Sequence, residues 1–291
     1  MDVLSRAERT LELTHRWGYA PTIEALSKDL LGGSENPGDI AAMVESNPRI
    51  RVHEGFVCIS GHESLIEKSR PRVTINRSAN GAAHTIALEF AESLLRTCPL
   101  VDCVGLSGSA ATGGYIPADD VDLDLFVRDD TKYLTYAVAL ALGFLVSLRA
   151  WKSGRLRKVI CINVIWTRTQ TQPFARDDEA LAFELLHCQP VFGERHFHQV
   201  ISSNPWILRL FPQLDREAMT DHRFPEPNAL GRIVAWIGRH PTMLTISDRL
   251  GRFASQATYS FVHWMKRKDT QAMERLAFLR RVKFPYEFFQ D

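Results

Sequence analysis

Cysteine is scarce in this chain, and its spacing excludes the usual cysteine-based scaffolds. The 291 residues contain five cysteines, at Cys58, Cys98, Cys103, Cys161 and Cys188. Their number is odd and no two form a CxxC pair, so we expect neither a disulfide framework nor a zinc ribbon. This usage is typical of a protein from a reducing compartment, and we expect a cytoplasmic location.

Long hydrophobic runs are also missing. The one stretch that looks membrane-like is YLTYAVALALGFLVSL at residues 133–148, and it is shorter than the roughly 20 residues of a transmembrane helix. The N-terminal residues MDVLSRAERTLEL have no positively charged start followed by an apolar core, so no secretion signal is expected. The sequence therefore predicts a buried core helix at this stretch and no membrane association.

The chain has no large excess of charge of either sign. Its net charge is +1, with 45% apolar and 24% charged residues, which is ordinary for a soluble globular protein. Residues 1–68 are the acidic part, because 7 Lys and Arg stand against 11 Asp and Glu, a net charge of −4. A basic surface for nucleic acid is not expected in that segment.

The N-terminal segment has the pattern of a small helical module. We predict helices over residues 3–17, TIEALSKDLL and PGDIAAMVES, followed by two short strands, RIRV and FVCI. Three helices and a two-stranded wing indicate a winged-helix-like module at residues 1–66. Its would-be recognition helix, PGDIAAMVES, contains Asp39 and Glu45 and has no Lys or Arg. Duplex DNA is therefore an unlikely ligand, and we expect the module to pack on the rest of the chain or to bind a protein partner.

The remaining residues combine strand and helix patterns. Residues 62–80 have the composition of a linker, and a helix, AAHTIALEFAESLLRT, follows. Three apolar runs predict strands, VDCVGLSG, VDLDLFV and VICINVIW, with a helix over 132–149 between the last two. From residue 177 the pattern is nearly all helical. The sequence thus predicts an α+β fold, with a small mixed sheet in a core at residues 67–176 and a helical region at residues 177–291.

The run VDLDLFV and its preceding residue carry carboxylates in an alternating pattern. On a strand, Asp120, Asp122 and Asp124 share one face, while the apolar residues between them share the other. Oxygen ligands along one face suit Mg²⁺, and clustered carboxylates are costly to desolvate without a cation. Upstream, Gly108 and Ser109 end the preceding strand, where a glycine and a hydroxyl can hold phosphate oxygens. The alternatives are an exposed edge strand with solvated acids and, for Ser109, a nucleophile, although no GxSxG motif surrounds it.

The segment GSAATGGYIPADDVDLD resembles the signature of the DNA polymerase β-like nucleotidyltransferase superfamily. More narrowly, the chain is similar to bacterial and archaeal nucleotidyltransferase-domain proteins with an N-terminal winged-helix-like module, through GYAPTIEAL, GHESLIEKSRPR, SGSAATG, CINVIW and NPWILRLFP. The resemblance implies transfer of a nucleoside monophosphate from an NTP to an acceptor, with Mg²⁺ or Mn²⁺ as cofactor. It assigns Asp122 and Asp124 to catalysis and to the metal, with Asp120 as a further ligand. It also implies that Gly108 and Ser109 hold the triphosphate.

One residue departs from the superfamily pattern. Two-metal members usually place a third carboxylate on the next strand, where this chain has Asn163. Asparagine cannot act as a general base, so we expect Asn163 to orient the acceptor or a water. Nearby, the basic segment WKSGRLRK contributes Lys152, Arg155 and Lys158, which either neutralise the triphosphate or form a solvated loop.

Three functions stay open at the level of the sequence. The first is the transferase, with RNA or tRNA, a protein or a small molecule as acceptor. The second is a catalytically weak nucleotide-binding regulator, which Asn163 keeps under consideration. The third is a winged-helix DNA-binding protein with a ligand-sensing domain, against which the acidic helix argues. The sequence does not identify the NTP.

Overall fold

The computed structural model describes residues 2–149, 158–215 and 222–265. Within these ranges the protein is mixed α+β, as predicted, and its strands form a two-stranded and a four-stranded sheet. The N-terminal elements are α1 (Val3–Arg16), α2 (Ile23–Lys28), α3 (Pro37–Glu45), β1 (Ile50–His53) and β2 (Phe56–Ile59). The central elements are α4 (Ser64–Thr97), β3 (Val101–Ser107), α5 (Gly108–Ala111), β4 (Val121–Val127), α6 (Lys132–Arg149) and β5 (Ile160–Thr167). The later elements are α7 (Arg168–Thr171), α8 (Glu179–His187), β6 (Gln189–Phe192), α9 (Glu194–Ser202), α10 (Pro205–Leu210), α11 (Ala229–Ile237) and α12 (Pro241–Met265).

The N-terminal elements form where local sequence signals predicted them. Asp2 and Thr22 accept backbone hydrogen bonds from the first turns of α1 and α2, as helix caps do. Strands β1 and β2 are antiparallel and are joined by a tight turn at Glu54 and Gly55, both with positive φ. The three helices and the hairpin enclose their own apolar core, which contains Leu11, Leu26, Leu30, Ile40, Val44 and Val57.

This N-terminal unit packs on the helices of the later elements. Arg9 pairs with Glu179 at 2.9 Å, and the amide nitrogen of Gly32 donates to the carbonyl of Leu210 at 2.6 Å. Leu13 and Leu31 also belong to the apolar cluster that α8 and α10 contribute to. The unit is therefore held to the rest of the protein by apolar packing as well as by polar contacts.

A single long helix, α4, occupies most of the segment for which the sequence predicted a linker. The helix runs from Ser64 to Thr97 and continues through Pro71. The linker prediction was therefore wrong. A proline inside a helix costs about 3 kcal/mol. Here packing at both ends outweighs that cost: Ile66 contacts the N-terminal unit, and Leu94 lies in the core beneath the main sheet.

The main sheet has the strand order β5-β4-β3-β6. Strand β3 is antiparallel to both of its neighbours, whereas β4 and β5 are parallel and are connected by α6. Strand β6 lies outside the sequence prediction, which assigned helices from residue 177 onward. It is a four-residue edge strand containing Pro190, so it has neither the length nor the alternation that predicts a strand.

Helix α6 is the apolar helix of the sequence analysis. Of the described helices it alone has the length and composition of a membrane span, a test that core helices of soluble proteins also pass. Leu142 and Val146 pack on the sheet core. The Asp248 carboxylate on α12 accepts hydrogen bonds from the backbone nitrogens of Tyr133, at 2.7 Å, and Leu134, at 2.9 Å. Phe144 and Leu145 are exposed, so within the described residues α6 is packed on one side only, and the prediction of a buried core helix is met in part.

His15 makes the stability of the N-terminal unit sensitive to acid. Its ring stacks on that of His62 at 4.6 Å, and neither nitrogen of the His15 ring has a hydrogen-bond partner among the described residues. Burial, together with His62, lowers the pKa of His15 to about 4. The unfolded chain therefore binds more protons than the folded protein as the pH falls from 6.5 towards 4, and stability is lost in that window.

We expect His15→Phe to remove part of this acid sensitivity, because phenylalanine keeps the ring packing and does not titrate. The fall in Tm between pH 7 and pH 5 should be smaller than in the wild type by about 2–4 °C, measured by circular dichroism. His53→Phe, at the exposed end of β1, serves as the control and should keep the wild-type fall. An unchanged fall in His15→Phe would contradict the assignment.

Candidate functional site

The predicted site residues meet at one end of the central strands. Strand β3 ends where β4 begins, because the two are antiparallel, and Ser107 pairs with Asp122. Strand β5 begins at the same end, because it is parallel to β4, and Asp122 pairs with Cys161 on its other side. The sheet therefore brings together the Gly-Ser turn, the acidic strand and the start of β5.

Asp120, Asp122 and Cys161 form a group with the dimensions of a metal site. One carboxylate oxygen from each aspartate and the Cys161 sulfur lie within 4.8 Å of one another, and all three residues are partly exposed. Lys158 Nζ lies 2.9 Å from the Asp120 carboxylate. Burial, and then the charges of Asp122 and Asp120, raise the pKa of Cys161 to about 12, so the thiol is neutral without a cation.

Gly108 brings the backbone directly against this group. Its φ of +61° lies in the left-handed region, and a Cβ atom at this position would overlap the Asp122 carboxylate. Glycine tolerates both conditions, since it has no Cβ. The main chain at the end of β3 is therefore as close to Asp122 as sterics allow.

Ser109 belongs to a second network beside the acidic group. Its hydroxyl donates to the Asp119 carboxylate at 3.0 Å, and the guanidinium of Arg72 pairs with the same carboxylate. Asn76, one turn further along α4, accepts a hydrogen bond from the Tyr115 nitrogen at 3.1 Å. Helix α4 thus holds the loop between Gly108 and Asp120 at two points.

Asp124 faces a buried polar cluster. Its side chain is fully buried, and Oδ1 accepts hydrogen bonds from the Ser107 hydroxyl and the Asn163 amide, each at 3.0 Å. Asn163 also donates to Glu184 on α8 at 2.8 Å. Asn163 is the extra residue of β5 at the point where the register with β4 shifts by one residue, between Leu123 and Asp124.

Burial dominates the protonation of Asp124. Desolvation raises its pKa to about 7, against the lowering effect of the hydrogen bonds from Asn163 and Ser107, and the charge of Asp122 adds to the rise. The group is therefore partly protonated near neutral pH.

The structure divides the sequence-predicted residues between these three networks. Asp120 and Asp122 lie together, whereas Asn163 contacts both Asp124 and Glu184. Lys158 contacts Asp120, while the predicted nucleotide ligands Lys152 and Arg155 lie outside the described residues.

Two residues of these networks were not identified from the sequence. Glu184 is the acidic residue in the apolar run ALAFELLH, and its position among apolar residues is a signal that it is buried. Cys161 and Asn163 are two residues apart on β5, so the sequence places both on one face of the strand and does not say which of them lies beside Asp122. Only the register of the two strands decides it.

A cavity of about 490 Å³ lies at the opposite end of the same strands. Its lining includes Asp102, Arg128, Arg168 and Arg195, near the start of β3, the ends of β4 and β5, and α9. Arg168 forms a two-point ion pair with Asp102, at 2.7 and 2.6 Å. This cavity is separate from the group around Asp122.

We expect the buried side chain of Asp124 to stabilise the folded protein, and two substitutions test this role. Asp124→Ala removes the acceptor of the Ser107 hydroxyl and of one of the two hydrogen bonds that the Asn163 amide donates, and it should lower the free energy of unfolding by about 2–4 kcal/mol. Asp124→Asn keeps an acceptor oxygen and should cost less than half as much. Urea denaturation in the presence of a chelator measures both.

Burial of Asp124 also determines the direction in which stability changes with pH, and the Asp124→Asn variant tests it. Because the folded-state pKa of Asp124 lies above its ordinary value of 3.8, the folded protein binds more protons than the unfolded chain between about pH 4 and pH 7. This contribution to stability is lost as the pH rises. Asp124→Asn should therefore gain on the wild type between pH 5 and pH 8, and a constant difference would contradict the burial argument.

In comparisons with known proteins, no protein-family model, no curated protein and no solved structure matches this chain significantly. The arrangement of its own side chains therefore carries the functional argument.

Proposed function

We propose that the protein is a metal-dependent nucleotidyltransferase, which transfers a nucleoside monophosphate from an NTP to an acceptor and releases pyrophosphate. The observation that carries the proposal is the group formed by Asp120, Asp122 and Cys161 directly against the backbone of Gly108. Phosphoryl-type transfer depends on a cation and on donors positioned around the triphosphate, and this geometry offers places for both.

The arrangement of strands supports the proposal. The strand that precedes Gly108 and Ser109 is antiparallel to the strand that carries Asp-x-Asp, and a strand parallel to the latter follows after a helix. Two Asp-x-Asp pairs follow Gly108 and Ser109 at a suitable distance along the chain, and either could carry the metal. Asp120 and Asp122 lie together with Cys161, so we assign the metal to this pair and not to Asp122 with Asp124.

The donor set fits a divalent cation. Asp120 and Asp122 would hold it through carboxylate oxygens, the ligands that Mg²⁺ and Mn²⁺ prefer. When bound, the cation would neutralise the phosphate charge that develops as the bond to the leaving pyrophosphate breaks.

The protein's own groups have distinct tasks in this proposal. The backbone at Gly108 gives the triphosphate close access to the main chain. Arg72 and Asp119 hold the Ser109 hydroxyl at the edge of the group, so Ser109 is positioned before the nucleotide arrives. Lys158 adds a positive charge beside Asp120. The acceptor oxygen attacks the α-phosphorus, the bond to the bridging oxygen of the β-phosphate breaks, and the acceptor proton passes to water.

The acceptor is not identified by these contacts. The Asn163 amide is engaged with Asp124 and Glu184, so an acceptor-orienting role would require it to exchange partners. Helix α3 places Asp39 on the surface, and its sequence has no Lys or Arg. The proposed winged-helix-like module therefore fits a packing or protein-binding role better than duplex DNA binding.

The first experiment supplies each of four α-labelled NTPs with Mg²⁺ or Mn²⁺ to the protein alone, then with total RNA, then with a cell extract. We expect label to move onto RNA, protein or a small molecule. Asp120→Asn/Asp122→Asn should reduce the transfer at least about a hundredfold, because the metal supplies several kcal/mol. Asp39→Asn, at an exposed site on α3, is the control and should retain full transfer.

The outcomes separate the remaining functions. Nucleotide-dependent thermal stabilisation without transfer, abolished in the double variant, would replace the transferase with a nucleotide-binding regulator. Neither transfer nor stabilisation would refute the proposed metal and nucleotide site.

A further inference from the structure

Cys161 belongs to the acidic group, but the proposed transfer reaction does not use it. It is the cross-strand neighbour of Asp122, and its sulfur lies within 4.8 Å of a carboxylate oxygen of Asp120 and of Asp122. Among the described residues, these three side chains are the ones that could hold a metal together. A sulfur atom therefore lies beside the two carboxylates, two residues before Asn163 on the same strand.

We propose that Cys161 is the third protein ligand of the metal, and that it makes the site select a divalent ion that accepts sulfur, of the Zn²⁺ and Co²⁺ kind, over Mg²⁺. The inference rests on the metal site of the proposed function and specifies its cation.

The chemistry of the donors gives this selectivity. Mg²⁺ takes oxygen ligands in near-ideal octahedral geometry and keeps much of its water, so a thiolate contributes little to its binding. Zn²⁺ and Co²⁺ bind carboxylate and thiolate together, and affinity for mixed sites rises from Mn²⁺ through Co²⁺. A site with two carboxylates and one thiolate therefore separates these ions from Mg²⁺.

The charges around the group are consistent with a thiolate ligand. The carboxylates of Asp120 and Asp122 and a Cys161 thiolate would carry three negative charges. A divalent ion together with Lys158, which is 2.9 Å from Asp120, would carry three positive charges. These charges balance when Cys161 binds the ion as a thiolate.

The other cysteines differ from Cys161 in their surroundings. Cys58, Cys98, Cys103 and Cys188 are 5% exposed or less, as ordinary core cysteines are, whereas Cys161 is partly exposed. Cys103, on β3, is fully buried in an apolar cluster. It is therefore the matched control for effects of a cysteine substitution on the sheet.

The test uses Co²⁺ as a spectroscopic probe of sulfur ligation in the full-length protein. The wild type should show a thiolate-to-cobalt charge-transfer band in the near ultraviolet. Cys161→Ser should lose the band, and Cys103→Ser should keep it. Calorimetric titration should show that Cys161→Ser weakens Zn²⁺ binding at least about tenfold while Mg²⁺ affinity stays within about twofold of the wild type.

The possible results separate this inference from the proposed function. Saturable metal binding with no charge-transfer band in the wild type, or a band that persists in Cys161→Ser, would overturn the role of Cys161. In either case NTP-dependent transfer that requires Asp120 and Asp122 would leave the proposed function intact. Loss of the band in both cysteine variants, with Tm values below that of the wild type, would show a general effect on the sheet and also overturn the assignment.

Discussion

The concentration of carboxylates on one face of β4 is the constraint around which the central part of this protein is arranged. Asp120, Asp122 and Asp124 follow one another at two-residue intervals at the start of a strand that is paired on both sides. Like charges this close repel one another, and burial makes the repulsion stronger because the local dielectric constant is low. Each carboxylate is therefore given a different environment by the neighbouring elements.

The exposure of the three carboxylates falls along the strand, since Asp120 and Asp122 are partly exposed and Asp124 is buried. Asp120 lies next to the ammonium group of Lys158, and Asp122 lies against the backbone of Gly108 and beside Cys161. Asp124 is inside the protein, where the Ser107 hydroxyl and the Asn163 amide supply hydrogen bonds and burial raises its pKa. One strand thus provides a partly open group suited to a cation and a closed polar cluster that supports it from within.

Helix α4 connects this site to the N-terminal unit. Ser69, near its start, accepts a hydrogen bond from the Ala20 nitrogen at 2.9 Å. Arg72 and Asn76 hold the loop between Gly108 and Asp120, and the second half of the helix lies in the core of the main sheet. Because one rigid element makes all of these contacts, the position of the site loop depends on the packing of the N-terminal unit as well as on the sheet.

Much of the secondary structure was predictable because it is encoded locally. The capped helices α1 and α2, the hairpin of β1 and β2, and the apolar strands β3, β4 and β5 all form where the sequence pattern places them. The errors fall where long-range packing overrides a local rule. Helix α4 continues through Pro71 because both of its ends are buried against other elements, and β6 is a strand only because it lies beside β3.

For the candidate site, the sequence by itself determined that a Gly-Ser turn and a set of alternating carboxylates occur on neighbouring strands. Only the tertiary structure decided which carboxylates lie together, because a period of two places all three on the same face and leaves them equivalent. Asn163, at the one-residue shift in the register of β4 and β5, contacts Asp124, whereas Cys161 pairs with Asp122. Glu184 reaches the same cluster from a helix more than fifty residues away along the chain from Asp124. Such pairings depend on strand register and helix packing, which no local pattern of residue types encodes.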